Sequence, residues 1–147
     1  SMRFRLIATA ALAAALGAGT ALAAGTKDER EAIMKKIGGA MGQLVAITKD
    51  EKPYDAAVVK TALTTIAESV KAFPDQFPPG SEKNSPAASP KIWENMDDFK
   101  AKADKLHADA EGLLAQLPAD KAGVGAAVKA LGADCGACHQ AYRLKVD

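Results

Sequence analysis

Near the C-terminus the chain carries Cys135-Gly136-Ala137-Cys138-His139, and these are its only two cysteines. C-x-x-C-H is the arrangement that attaches haem covalently. The two thiols form thioethers with the vinyl groups, which ties the porphyrin to the backbone. The histidine that follows is then held under the iron as an axial ligand. Two other chemistries use a C-x-x-C pair. A thioredoxin-like redox disulfide belongs in a βαβ pattern, and no strand-like alternation flanks this motif. A structural zinc site needs four ligands, and after the motif only His107 is left as a nitrogen donor. The residues therefore point to one haem c, anchored by Cys135 and Cys138 and ligated by His139.

Such attachment takes place outside the bacterial inner membrane, so an export signal is expected, and residues 2–23 read as one. Arg3 and Arg5 form a basic start, Leu6 to Ala18 an apolar run, and Ala21-Leu22-Ala23 an A-x-A cleavage site. The run is shorter than the roughly 20 residues that a spanning helix requires. Cleavage after Ala23 predicts a periplasmic protein of residues 24–147 with no stable membrane insertion, and Ser1 ahead of Met2 reads as a cloning remnant. Removing Arg3 and Arg5 takes two of the 19 basic residues against 18 acidic ones, leaving a formal net charge of −1. No basic cluster is interleaved with aromatics, which argues against nucleic acid as a partner.

Positioning the motif falls to four helical segments within one domain, with no internal repeat. The first opens on the capping box Thr26-Lys27-Asp28-Glu29, carries the stripe Ile33, Met34, Ile37, Met41, Leu44 and Val45, and stops near Lys49. Gly38, Gly39 and Gly42 cost helicity and are expected to admit a close neighbour, either another helix or the haem. The second follows Asp55 as N-cap, carries Val58, Val59, Ala62, Leu63, Ile66, Val70 and Phe73, and ends at Pro74. Residues 74–89, with their prolines, Gly80 and serines, form an extended loop, expected to cross the bundle or wrap a neighbour rather than make a tight hairpin. The third, capped by Ser89 with Pro90 at its first position, is one helix from Ile92 and Trp93 through Met96, Phe99, Ala103, Leu106 and Ala110 to Leu114. The fourth starts after Asp120 and runs through Val124, Val128 and Leu131 into the motif and Tyr142. An antiparallel, all-α four-helix bundle with a cofactor in its core is the architecture this pattern specifies. On the last helix the i, i+3, i+4 spacing puts Cys135, Cys138 and His139 on one face, with Arg143 four residues beyond His139 on the same side.

The segments REAIMKKIGGAM (from Arg30), KPYDAAVV, AFPDQFPPGS, KIWENMDDFKAKA and GADCGACHQAYR together resemble the class II cytochromes c, the cytochrome c-prime family, over nearly all of residues 24–147. The position of the motif beside the C-terminus, with Ile92-Trp93 upstream, is more specific than the motif itself. The resemblance implies a left-handed bundle around covalent haem c, often a homodimer built on the first two helices. It implies that Arg30 and Glu31 lie where the first helix meets the haem and its propionates, and that Arg143 lies near the proximal histidine. Trp93 and Phe99 are expected primarily as core aromatics, and either can also touch the porphyrin edge.

Function then turns on Met34. In the resembling family this position faces the open side of the iron. A bulky apolar or aromatic residue there leaves a five-coordinate, high-spin iron open to nitric oxide or carbon monoxide. In low-spin relatives a methionine sulfur completes six-coordination, which raises the reduction potential and suits electron transfer. Methionine is also a flexible core filler, and in some high-spin members it occupies this place without bonding iron. The local sequence lies closer to the low-spin branch. The expectation is an electron carrier, not an enzyme, with His139 and Met34 on the iron and redox proteins as partners. The alternative is a five-coordinate protein whose partner is a small gas. Met41, two turns on, is the lesser candidate, Met96 belongs to the core, and His107, among Asp104, Lys105 and Asp109, is expected to be exposed.

Overall fold

The computed structural model describes residues 24–146, and the export signal read at residues 2–23 lies outside the described residues. The elements are α1 (Lys27–Thr48), α2 (Ala56–Ala72), α3 (Lys91–Glu94), α4 (Met96–Ala115) and α5 (Lys121–Tyr142), with a 3-10 turn at Phe73–Gln76. The cap signals act as read: Thr26 Oγ1 accepts from the Glu29 amide, Asp55 from Ala57 and Val58, and Asp120 from Gly123. Each satisfies amides that a helix start otherwise leaves unpaired.

α1, α2, α4 and α5 form a closed ring of neighbours, α1 on α2, α2 on α4, α4 on α5 and α5 on α1. Successive helices run in opposite directions. At one end Tyr54 donates to the Pro118 carbonyl at 2.6 Å and Lys121 meets Asp50 at 2.6 Å. At the other end, the start of α1, the end of α2, the start of α4 and the end of α5 come together. The apolar stripes meet in two clusters. The larger runs the length of the bundle around Leu44, Ile47, Leu63, Ile66, Ala110, Val124 and Leu131. The smaller is aromatic, built on Phe77, Ile92, Phe99 and Tyr142 at the second end.

One expectation changes here, and two that left alternatives open are resolved. The segment expected to be one helix from Ile92 onward is broken at Asn95, whose backbone (φ −132°, ψ 46°) leaves the helical region. Its side-chain amide donates to the Lys91 carbonyl at 3.1 Å, the local competition with helix that asparagine favours. Residues 74–89 do not cross the bundle but wrap the first turn of α1. Gly25, at φ +84°, makes that possible, because a Cβ there would meet the Gln76 carbonyl oxygen at 3.0 Å. Finally, no helix backbone approaches Gly38, Gly39 or Gly42, since a Cβ at each would have nothing within 4 Å. Gly38 instead faces the cavity described next.

Candidate haem site

A cavity of about 790 Å³ opens at the aromatic end of the bundle, between α1, α4 and α5 and under residues 85–88. That volume lies within the roughly 300–1,000 Å³ of small-molecule and cofactor pockets. Its walls are mostly apolar, from Met34, Ile37, Met41, Val70, Phe73, Phe77, Phe99 and Leu106. Cys135, Cys138 and His139 also line it. The two thiols are half-buried and free, Cys135 packing on the larger apolar cluster and Cys138 on the aromatic one. Burial pushes both thiols above their ordinary range. His139, exposed in the cavity wall, is held below the ordinary imidazole range, first by desolvation and then by the Arg143 charge. A neutral ring keeps the nitrogen lone pair that a metal requires.

Arg30 sits on the Ile33, Met34 and Ile37 face and is 5 % exposed. Its guanidinium donates to Gln76 O at 2.9 Å, Ser85 Oγ at 2.6 Å, Ser81 Oγ at 2.9 Å and Ser81 O at 3.2 Å, and it lies 4.1 Å from the Phe77 ring centre. Burial pushes it below its usual value. Among the described residues no carboxylate pairs with it, so a buried cation faces the cavity without a counter-ion. Glu31 is an exposed rim residue paired with Lys27 at 3.5 Å.

Arg143 lines the cavity too, but from a different backbone than expected. α5 ends at Tyr142, and Arg143 is extended (φ −102°, ψ 123°) and bridged to Ala88. Ser89 N to Tyr142 O and Leu144 N to Ala87 O complete this short pairing. Trp93 is not in the cavity wall. Its indole donates to Pro78 O at 3.2 Å and its ring packs on Phe77, so the aromatics that reach the cavity are Phe73, Phe77, Phe99 and Tyr142. His107 is half-buried rather than exposed, because its Nδ1 lies 2.8 Å from the Ala67 carbonyl and ties α4 to α2.

Sequence reasoning missed three contributors, Ser81 and Ser85 in the loop and Asp134 in the wall. The serines gave no periodic signal. Asp134 did: Val124, Ala127, Leu131 and Asp134 follow the 3-4-3 spacing of a buried stripe, which placed a carboxyl on the core face.

An apolar cleft with two unpaired thiols, a neutral imidazole and a buried cation that has no carboxylate partner defines a c-type cytochrome built on a helical bundle. The family description Cytochrome C' matches residues 26–143. Over 98 % of both chains the sequence is 61 % identical to a cytochrome c-556 of Agrobacterium fabrum. It is 67 % identical to one of Agrobacterium tumefaciens, over 83 % of this chain and 99 % of that one. The cytochrome c' structure from Rhodopseudomonas palustris superposes with a TM-score of 0.76 at 34 % identity, covering 82 % of this chain and 96 % of that one. The chain belongs to the cytochrome c-prime family, and the family's cofactor is covalently bound haem c. The site fits that group in each respect: apolar walls for the porphyrin faces, thiols for its vinyls, a nitrogen for its iron and a cation without a counter-ion for its propionates.

Proposed function

We propose that this protein carries electrons on its haem c, whose iron His139 and Met34 would both ligate. When bound, haem would supply a one-electron ferric/ferrous couple, whose potential is raised by methionine and histidine ligation. The observation that carries the proposal is that Met34 and His139 line one cavity from adjacent, oppositely running helices. His139 lies in the last turn of α5, at the bundle end where α1 begins. Met34 is two turns into α1, whereas Met41 lies about 10 Å deeper at 1.5 Å per residue. In this reading Cys135 and Cys138 fix the porphyrin, and Arg30 holds its anionic edge while keeping the loop closed over α1. Glu31 and Arg143 set the charge around the mouth, and Trp93 supports Phe77 from behind. Redox proteins meet the protein briefly at that mouth, in the periplasm, after the export signal is removed. Among the described residues no helix is long and apolar enough to cross a membrane.

Visible spectroscopy tests the iron ligands. The reduced protein should give sharp, split bands that carbon monoxide does not shift. Met34→Ala should convert it to a broad, high-spin, carbon monoxide-binding form, while Met41→Ala should leave the bands in place. A broad high-spin spectrum in the unaltered protein would remove Met34 from the iron and favour gas binding.

A further inference from the structure

The cavity wall holds one polar atom with nothing to bond. Asp134 precedes Cys135 on α5 and lines the cavity. Its side chain is 7 % exposed, and its Oδ2 is buried without a hydrogen-bond partner. Such an atom is destabilising unless something satisfies it. The other oxygen lies 3.5 Å from Lys105 Nζ on α4, and the same ammonium lies 2.8 Å from Asp109 Oδ2, one turn further along α4. One cation therefore serves two carboxyl groups. With both ionised, an unbalanced negative charge would stand against an apolar wall.

A single proton removes both problems. Protonated, Asp134 becomes a donor that can hydrogen-bond to the Asp109 carboxylate, with which it shares Lys105. That bond, followed by the Lys105 contact, holds Asp109 below the usual carboxylate range. Burial, followed by the bond and the charge of Asp109, pushes Asp134 up to about 6 against the pull of Lys105. Lys105 and Asp109, both on α4, are the charges that act on Asp134, and α1, the other long helix packed on α5, contributes none. Asp134 stands five residues before His139, well over one turn of helix away.

We propose that Asp134 and Asp109 form a one-proton site in the haem wall, which fills when the protein gains an electron and empties when the electron leaves. This rests on the electron-carrier reading above. The oxidised protein holds one more positive charge in the cavity than the reduced one. Across a poorly screening apolar wall that charge favours the ionised carboxyl. On reduction the redox partner supplies one electron and solvent supplies one proton, and the O–H bond on Asp134 is the only bond formed. On oxidation both depart.

The midpoint potential of the haem-loaded protein, followed against pH, tests this. In the unaltered protein the potential should fall as pH rises through a window near 6. The limiting slope for one proton and one electron is about 59 mV per tenfold change in proton concentration. Asp134→Asn, permanently neutral, should hold the acid-side potential across that window. Asp109→Asn should move the window to lower pH, because Asp109 raises Asp134. If Asp134→Asn keeps the unaltered slope with its spectrum intact, the titration belongs to the cofactor's own carboxyl groups and the proposal is overturned. If Asp134→Asn does not load haem, an unmoved window in Asp109→Asn overturns it instead. A protein with no reversible haem couple would refute the electron-carrier reading, a result distinct from either of these.

Discussion

Arg30 shows how one side chain joins the sequence to the site. Its planar fork collects the loop through Gln76, Ser81 and Ser85 and stacks on Phe77, so it closes residues 74–89 over α1. Hydrogen bonds to a charged group are worth about 1.5–3 kcal/mol. Arg30→Ala should therefore lower stability by on the order of 3 kcal/mol, read as a shift in denaturant midpoint. Arg30→Lys should recover little of it, because an ammonium cannot reproduce the bonding fork or the stacking. A lysine variant that unfolds at the unaltered midpoint would show that the charge alone suffices. At this scale Cys135, Cys138 and His139 were legible as candidates because C-x-x-C-H is a local spacing, and all three line one cavity. The roles of Arg30 and Asp134 were only half legible. Both lie on buried helical stripes, which the spacing shows, but their partners lie 46 or more residues away for Arg30 and on another helix for Asp134.

The helices themselves were read almost to the residue, since N-caps and 3.6-residue periodicity are local. Asp120 illustrates the value of such a signal. Its carboxylate caps α5 at 2.8 Å from the Gly123 amide, ahead of two glycines that weaken the helix start. Asp120→Ala should cost about 1 kcal/mol in chemical denaturation. The haem bands should stay unchanged, because this cap lies at the end of the bundle opposite the cavity. Altered bands would mean that the start of α5 sets the position of its far end. The break at Asn95 and the path of residues 74–89 were not legible. Ile92 and Trp93 continue the α4 periodicity, yet they turn aside to pack on Phe77 and Phe99, a demand that comes from outside the segment.

For the whole molecule, the balance between cavity and core decides stability. Without the haem, the apolar walls of a 790 Å³ cleft stand open to water and lack the packing that the porphyrin faces would supply. A haem-free form, made by Cys135→Ala with Cys138→Ala, should accordingly be partly molten. It should keep far-ultraviolet helical signal, lose near-ultraviolet signal, bind a hydrophobic dye and melt broadly. Sharp cooperative unfolding of that form would show that the bundle closes on itself without its cofactor. The sequence by itself determined the helices, the cofactor and the residues proposed to attach it, because capping, periodicity and a five-residue motif act over one or two turns. Only the tertiary structure decided what surrounds the cofactor. It put Met34 in the same wall as His139, withdrew Trp93 behind Phe77, and set Asp134 against Asp109 across one lysine. Burial, charge pairing and cavity shape arise between helices, and no single stretch of chain contains them.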